Sequence, residues 1–540
     1  MKDTIGIVDI FSGPGGLGEG FCALRNESGL PAFEIDVSVE KDRVASETLR
    51  LRAFLRKFTS GHPQEYIKFL NGDLLEEPDW KTLYPEEWKW ACEEALNLTL
   101  GDDDTAIILR KRLKEIRAER GDRVILIGGP PCQAYSIAGR GRKPETKGYV
   151  PHPEDRHLLY REYIEVLRQL RPAAFVMENV KGLISSSTGE GRILDLVLDD
   201  LRSGGGAADY MLCPLSVAVD GSGELRPTDF VVRTEEHGLP QTRHRVIIVG
   251  LRRDLFDRVD GLMPPVLRKV AEPPTVRHVI GTMPALRSGL SLRQGDVDSE
   301  TAWKEAVAEH ARALLSMNIE FPAWKERAFR RIARKLSDPQ GFEAGPRKGA
   351  EGGTVMWKRC PLRDWISRPE LMQLTHHETR GHMRSDLGRY LFAAIWTEAT
   401  GSSPKAERFP DELAPAHGNW TSGKFRDRFR VQPWQSQSST VTCHVSKDGH
   451  YFIHPDPAQC RSMTVREVAR LQTFPDDYFF RGNRTEQYVQ VGNAVPPYLA
   501  HLIAASMEPV LKAMLAPKVA TGPRRKVCVP AIVPRMPEPA

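Results

Sequence analysis

The chain has 540 residues, of which 40% are hydrophobic and 27% charged, a composition typical of a globular enzyme. No apolar run approaches the roughly 20 residues that cross a bilayer, which excludes a membrane-spanning protein. The formal net charge of +5 permits a polyanionic partner without requiring one. The eight cysteines include no Cys-x-x-Cys pair, which argues against a disulfide scaffold and predicts reduced thiols.

The first predicted strand, "IGIVDI", is followed by "FSGPGGLGEGF", where Gly13, Gly15 and Gly18 have Gly-x-Gly-x-x-Gly spacing. A strand, a glycine-rich turn and a helix together allow the backbone to approach a nucleotide closely. The spacing alone leaves three alternatives open: a dinucleotide, another adenosine-bearing cofactor, or a structural turn. Since the chain starts without the layout of a signal peptide, we expect a cytoplasmic location.

Short apolar runs alternate with amphipathic stretches as far as Gly250. This pattern predicts an α/β fold with a doubly wound parallel sheet. The predicted strands are "IGIVDI", "FEIDVSVE", "VILIGGPP", "AAFVMENV" and "RVIIVGL". Between the second and third, residues 76–121 contain "ILRKRLKEIRAER", which predicts a solvated charged helix that decorates the surface.

Cys132 follows the strand "VILI" in "GGPPCQAYSIAGRGR" and therefore lies on a loop at the carboxyl edge of the predicted sheet. Ligands of open α/β sheets bind at that edge. The residue types alone leave open whether Cys132 is reactive or merely lies in a turn.

The sequence after Arg253 changes to a mixture of basic and aromatic residues, as in "WKERAFRRIARKL" and "HHETRGHMRSDLGRY". Such a mixture suits a surface that follows phosphates, the alternative being a solvated basic face. Helices are predicted again in "SMTVREVARLQTF" and after the turn "QVGNAVPP". The proline-rich tail, residues 517–540, is predicted to be disordered.

Five segments occur in an order that is highly specific: "DIFSGPGG", "GGPPCQAYS", "MENV", "QTRHR" and "QVGNAVPP". They resemble the motif series of the bacterial cytosine carbon-5 DNA methyltransferases, which use S-adenosylmethionine. The resemblance implies a Rossmann-like methyltransferase sheet with an inserted, smaller target-recognition domain. The implied divisions are a catalytic domain over residues 1–253, a target-recognition domain over 254–485 and a return to the catalytic domain over 486–516.

The resemblance also implies catalytic roles. Cytosine carbon 5 is a poor nucleophile, and Cys132 matches the thiolate that activates it by adding to carbon 6. Glu178 matches the acid that protonates ring nitrogen 3 as charge develops there. Asn179 matches a residue that orients the loop carrying the active-site residues. Arg243 and Arg245 match arginines that organise the site. The structural alternatives are a buried carboxylate paired with an arginine for Glu178, and an ordinary salt bridge for Arg245.

The glycine-rich turn is implied to hold S-adenosylmethionine, with an acid at the end of the second strand accepting hydrogen bonds from the ribose. One position departs from the family, because Lys41 stands where a large apolar residue is common. The implied cofactor-binding residues are Phe11, Gly13, Gly15, Gly16, Leu17, Glu40, Asp73, Pro131, Asn493 and Val495.

The implied substrate is a cytosine flipped out of double-stranded DNA, with Gln133 and Thr440 near the DNA. We expect a monomer that marks host DNA in a restriction-modification or phage-defence system, works beside a separate nuclease and associates with the nucleoid through DNA. The alternatives are a tRNA cytosine methyltransferase, an inactive regulatory relative and a nicotinamide dehydrogenase. Cys443, His450, His454 and Cys460 straddle a predicted hairpin, so no metal site is expected there.

Overall fold

The protein is described from a computed structural model. The structure describes residues 4–131, 159–188, 191–217, 225–291, 297–321, 323–349, 352–415, 420 and 428–517. The strands are β1 Ile5–Ile10, β2 Phe33–Glu40, β3 Ala95–Asn97, β4 Val124–Gly128, β5 Ala174–Val180, β6 Ser187–Thr188, β7 Gly191–Arg192, β8 Tyr210–Pro214, β9 Val231–Arg233, β10 Gln241–Thr242, β11 His244–Arg252, β12 Gly289–Leu290, β13 Gly381–His382 and β14 Ser438–Ser439.

The first ten α-helices are α1 Gly16–Cys22, α2 Arg43–Leu55, α3 Gln64–Leu70, α4 Trp80–Leu83, α5 Pro85–Glu94, α6 Asp103–Arg120, α7 Leu159–Leu170, α8 Ile193–Arg202, α9 Arg253–Phe256 and α10 Val276–Ile280. The others are α11 Glu300–Ser316, α12 Ala323–Leu336, α13 Arg363–Ile366, α14 Arg384–Thr400, α15 Val465–Leu471, α16 Arg484–Asn493 and α17 Pro497–Leu515. Among the described residues, no helix is both long enough and apolar enough to cross a membrane.

Strands of the main sheet follow the order β3-β2-β1-β4-β5-β11-β8, and β9 also pairs with β11. The first five are parallel, which confirms the doubly wound α/β fold. The prediction was wrong for β11, which runs antiparallel to both β5 and β8. An apolar run shows that a strand is buried, but it carries no information on direction.

Apolar side chains alternate along each strand and fill a layer on either face of the sheet. On one face, Ile7 of β1 packs with Phe21 of α1 and Ile503 of α17. On the other face, Val8 packs with residues of α6, α7 and α8. The C-terminal helix is thus part of the catalytic sheet's core, although several hundred residues separate it from β1.

Residues 76–121 do not decorate the surface as predicted. They include the edge strand β3, and α6 buries Leu109, Leu113 and Ile116 against the sheet. Arg120, at the end of α6, forms an ion pair with Glu34 of β2 at 2.9 Å. The high charge of this segment concealed a helix with one buried face.

The regular structure in the middle of the chain is mainly helical, with α11, α12 and α14 packed around Trp303, Phe329 and Phe392. The predicted helices in "SMTVREVARLQTF" and after "QVGNAVPP" are confirmed as α15 and α17. The predicted hairpin around Gly449 was wrong, because residues 443–446 form a 3-10 turn. The predicted tail lies outside the described residues from 518 onward, and the domain boundaries stay predictions.

Candidate active site

The site lies where the strand order reverses, between β1 and β4. Both strands end there at one edge, and β4 leads into Gly129, Pro130 and Pro131. In an open α/β sheet, loops that leave adjacent strands in opposite directions open a crevice at this point. The glycine-rich turn, the loop that leads to Cys132 and the end of β5 all meet at this edge.

The glycine-rich turn requires left-handed backbone angles, with φ of +56° at Gly13 and +98° at Gly15. Phe11 adopts φ +57° without being glycine, which costs conformational energy. Glu40, at the end of β2, fixes the turn because its Oε2 accepts a hydrogen bond from the Gly13 N–H at 2.8 Å. Its Oε1 accepts one from the Asp42 N–H at 2.8 Å, and burial raises the pKa of Glu40.

The C-terminal segment closes the turn from the other side. A Cβ atom on Gly16 would lie 2.3 Å from the Val495 carbonyl oxygen, so no side chain fits between them. By contrast, a Cβ atom on Gly13 would meet no atom within 4 Å, so open space adjoins that glycine. Asn493 is exposed at the end of α16, whereas Leu17 is buried in the core beneath the turn.

Asp9 lies directly beneath this turn and is fully buried. Among the described residues, neither carboxyl oxygen has a hydrogen-bond partner, because the Ser12 hydroxyl donates to the backbone carbonyl of Asp9. Burial raises the pKa of Asp9 to about 8. The folded protein therefore holds this carboxyl protonated at neutral pH.

This raised pKa predicts a pH-dependent stability. Between the ordinary pKa of 3.8 and about 8, the folded state binds one more proton than the unfolded state at Asp9. The free energy of unfolding should therefore fall with rising pH by up to about 1.4 kcal/mol per pH unit. Above about pH 8, Asp9 should cause no further pH dependence. Asp9→Asn should remove this pH dependence of the free energy of unfolding, which urea titrations at several pH values would measure. A variant whose stability falls as steeply as that of the wild type would contradict the assignment.

Asp73 lies in the exposed turn after α3, where its N–H donates to the Lys68 carbonyl. The neighbouring Asn71 contacts the middle of the chain through Glu370, at 3.1 Å. The strand next to β2 is β3, and Asn97 at its end donates to the Glu40 carbonyl at 2.9 Å. Sequence analysis missed Asn97 because three strand residues give no recognisable pattern. The role of Asp73 in cofactor binding stays a prediction.

Glu178 and Arg245 face each other across adjacent strands at the carboxyl edge. Arg245 Nε lies 2.9 Å from Glu178 Oε1 in an ion pair that lacks the alignment of a hydrogen bond. Both side chains are largely buried, with 13% and 14% of their surface exposed for the arginine and the glutamate. A Cβ atom on Gly129 would lie 3.1 Å from Glu178 Oε2. Glu178 is therefore adjacent to the loop that leads to Cys132.

Asn179 holds the same loop from below, since its Nδ2 donates to the Pro130 carbonyl at 3.2 Å. Its Oδ1 accepts a hydrogen bond from the Val180 N–H at 2.8 Å, which fixes the amide orientation. Cys132 and Gln133 lie outside the described residues. The described part of the loop ends at Pro131, one residue before the cysteine.

Arg243 does not share the partner of Arg245. Its guanidinium is buried and donates to the Val441 carbonyl at 2.7 Å and to the Ala494 carbonyl at 2.9 Å. Burial is the main cause that lowers the pKa of Arg243, and the neighbouring Arg245 lowers it further. Arg243 thereby ties the middle of the chain and the segment after α16 to the catalytic sheet.

Gln241 makes a similar connection that sequence analysis missed. Its Nε2 donates to the Leu471 carbonyl at 3.0 Å, and its Oε1 accepts from the Val441 N–H at 3.1 Å. Because Gln241 is the first residue of the "QTRHR" segment, the motif marked the position even though its role was not identified. Thr440 lies beside it, and its hydroxyl donates to the Thr242 carbonyl at 2.6 Å.

Two of the four residues at which no metal site was expected have other partners. His450 Nδ1 is 2.7 Å from the Tyr390 hydroxyl, and the Cys460 thiol donates to the Leu387 carbonyl at 3.2 Å. Across the described ranges, no three His, Cys, Asp or Glu side chains come together as metal ligands. The six described cysteines are free thiols.

The sheet and its edge define an α/β fold with a ligand-binding crevice at the carboxyl ends of β1 and β4. The family model of the C-5 cytosine-specific DNA methylases matches residues 103–509, three quarters of the chain. The chain belongs to this family and is a DNA (cytosine-5)-methyltransferase.

Curated relatives match over most of their length. Type II methyltransferase M.Bpa9945I of Bacillus paralicheniformis is 30% identical over 522 residues, which cover 94% of this chain and 99% of the relative. DNA (cytosine-5-)-methyltransferase M.ApeKI of Aeropyrum pernix is 28% identical and covers 73% of this chain and 82% of the relative.

Proposed function

We propose that this enzyme flips a target cytosine out of duplex DNA and methylates it at carbon 5 through a covalent adduct with Cys132. The observation that carries the proposal is the position of Glu178. It adjoins Gly129, three residues before Cys132, and pairs with Arg245 at 2.9 Å. A proton donor near the end of β5 and a thiolate on the loop after β4 suit the two sides of one pyrimidine ring.

In the proposed reaction, the Cys132 thiolate forms a bond to carbon 6 while Glu178 donates a proton to nitrogen 3. Carbon 5 gains nucleophilic character and would accept the methyl group as the bond between that group and the sulfonium sulfur of its donor breaks, which leaves a neutral thioether. Loss of the carbon 5 proton to a base then breaks the bond between carbon 6 and the Cys132 sulfur and frees the thiolate, and return of the nitrogen 3 proton to Glu178 restores the neutral ring and the acid. Arg245 orients Glu178, and Asn179 holds the backbone before Cys132 through the Pro130 carbonyl.

S-adenosylmethionine would supply the methyl group from the crevice beside the glycine-rich turn. The open space at Gly13 and the carboxylate of Glu40 at the end of β2 fit a ribose at this position. The rest of the cofactor would be enclosed by Phe11, Gly15, Gly16, Asn493 and Val495. Because the Leu17 side chain is buried in the core, only the backbone of Leu17 would contact the cofactor.

The cofactor proposal predicts that Glu40→Ala weakens S-adenosylmethionine binding by about 10- to 100-fold, because the ribose hydroxyls then have no charged acceptor for their hydrogen bonds. Isothermal titration calorimetry would measure the change. Glu47→Ala is the matched control, since Glu47 is an acid on α2 that pairs with Arg43. An affinity that Glu40→Ala leaves unchanged would show that the ribose acid lies elsewhere.

The proposed biological role is the marking of host DNA in a restriction-modification system. It is supported by the name of the relative from Bacillus paralicheniformis, which is a Type II methyltransferase. We propose that the chain acts as a monomer, that a separate nuclease or defence protein does the cutting, and that Thr440 and Gln133 contact the target strand. The middle region, residues 254–485, would choose the target sequence.

Transfer of a tritiated methyl group from S-adenosylmethionine to plasmid DNA or to tRNA tests this function. We expect incorporation into DNA and none into tRNA. Incorporation into tRNA alone would replace the proposal with the RNA-modifying alternative, and incorporation into neither with the inactive regulatory one.

A further inference from the structure

Helix α12 has one buried face and one charged face. Phe329, Ala333 and Leu336 pack into the helical core of the middle region. The exposed side chains recur at intervals of three, four or, between the last two, one residue, so they share one side of the helix. We name this stripe the basic face, and it consists of Trp324, Arg327, Arg331, Arg334 and Lys335.

The charge of the basic face is not neutralised within the described part of the chain. Helix α12 has six basic residues and one acid, a net charge equal to the +5 of the whole chain. The one acid, Glu326, pairs with Arg330 at 2.8 Å, away from the basic face. Among the described residues, none of the four cations on the basic face is in an ion pair. Four unpaired cations on one helix are the electrostatic pattern of a polyanion-binding surface.

Part of the basic face lines a cleft with a volume of about 690 Å³. Arg331 and Lys335 line one side, and Arg277 and Trp434 line the other. The Arg277 guanidinium lies 5.7 Å from the ring centres of both Trp357 and Trp434. Two aromatic rings hold the guanidinium in place while its N–H groups stay available, because no described carboxylate pairs with it.

Two acids also line this cleft, but one is already engaged. The Asp456 carboxylate accepts hydrogen bonds from the Ala458 N–H at 3.0 Å and from Gln459 Nε2 at 3.1 Å. Glu398 is the other acid, and it is exposed. The cations therefore outnumber the acids in the cleft, and the remaining basic face extends this charge beyond it.

The cleft is connected to the catalytic edge by a short stretch of backbone. The Arg277 N–H donates to the Trp434 carbonyl at 3.0 Å, and six residues further along the chain Thr440 contacts Thr242. Six extended residues span at most about 22 Å. Since duplex DNA rises 3.4 Å per base pair, a duplex at the catalytic edge reaches the cleft within about six base pairs.

We propose that the basic face and Arg277 bind the sugar-phosphate backbone of the substrate duplex several base pairs to one side of the target cytosine. The inference rests on the proposed function, because it takes the same duplex as the ligand. The contact is with phosphates, so it adds affinity without reading bases. It makes binding dependent on the length of DNA beside the target.

The test compares Arg327→Ala/Arg331→Ala/Arg334→Ala with Arg110→Ala/Lys111→Ala/Lys114→Ala. The second triple removes three exposed cations from α6, which packs on the catalytic sheet. Fluorescence anisotropy measures binding to 10- and 40-base-pair duplexes that are centred on the same cytosine-containing sequence, from about 50 to 200 mM salt. Circular dichroism checks that both variants are folded.

We expect the α12 variant to bind the 40-base-pair duplex at least about tenfold more weakly at low salt. The slope of log affinity against log salt should fall by about one for each phosphate that the variant no longer neutralises. The short duplex should be affected less than about twofold, and the α6 control should match the wild type. Equal affinities and slopes for all three proteins on the long duplex would overturn the inference, even if methylation is normal. The α12 variant could lose affinity in a length-dependent way although the wild-type protein does not methylate DNA. That result would support the inference and would count only against the proposed function.

Discussion

Replacing Cys132 with serine is expected to lower the rate of methyl transfer by more than about 10³-fold while DNA binding stays within about twofold. A serine hydroxyl is a far weaker nucleophile than a thiolate, so the covalent route to an activated carbon 5 closes. DNA affinity depends mainly on contacts with phosphates, which this change leaves in place. Single-turnover incorporation of tritiated methyl groups, together with anisotropy on the same duplex, would measure both effects.

Cys92→Ser is the matched control, because Cys92 is a free, partly exposed thiol on α5. This variant should retain wild-type rates, so any effect of Cys132→Ser would be specific to its position. Methylation by the Cys132→Ser protein at a rate within about tenfold of the wild type would show that the nucleophile is another group.

Glu178→Gln has the second largest expected effect, a loss of about 10²- to 10⁴-fold in single-turnover rate at saturating DNA. Glutamine fills the same volume beside Gly129 but cannot donate the carboxyl proton to nitrogen 3. It also replaces one of the two carboxyl oxygens beside Arg245, whose Nε lies 2.9 Å from Glu178 Oε1. Rates measured across pH separate proton donation from the contact with Arg245. The loss of a proton donor changes the pH profile, whereas the loss of the contact lowers the rate at every pH.

Glu65→Gln provides the control for this carboxylate. Glu65 accepts a hydrogen bond from the Tyr84 hydroxyl at 2.8 Å, away from the catalytic edge, and its change should leave the rate unaltered. A Glu178→Gln enzyme with a normal rate and pH profile would leave Glu178 as a structural partner of Arg245.

The parts of the fold that the sequence made predictable are those whose signal is local. Long apolar runs identified β1, β2, β4, β5 and β11, and the motifs placed Glu178 and Asn179 at the end of one of them. The edge strand β3 has three residues, too few for a recognisable pattern, and the charge of α6 concealed its buried face. Strand direction was not predictable either, since it depends on pairing rather than on composition.

The connections that assemble the site could not be predicted, because they join residues distant in sequence. Arg243 bonds the carbonyls of Val441 and Ala494, which lie 198 and 251 residues away along the chain. The family resemblance implied that Arg243 and Arg245 organise the same site. The structure gives them different partners, because Arg243 precedes β11 whereas Arg245 lies within it, where pairing with β5 aligns it with Val180.

Bisulfite sequencing of DNA from cells that express the wild-type chain, compared with cells that express Cys132→Ser, tests the central claim most directly. We expect protected cytosines at one short recurring sequence in the first sample and none at that sequence in the second. Absence of protection in both samples, or equal protection in both, would contradict the assignment of this chain as a sequence-specific DNA methyltransferase that acts through Cys132.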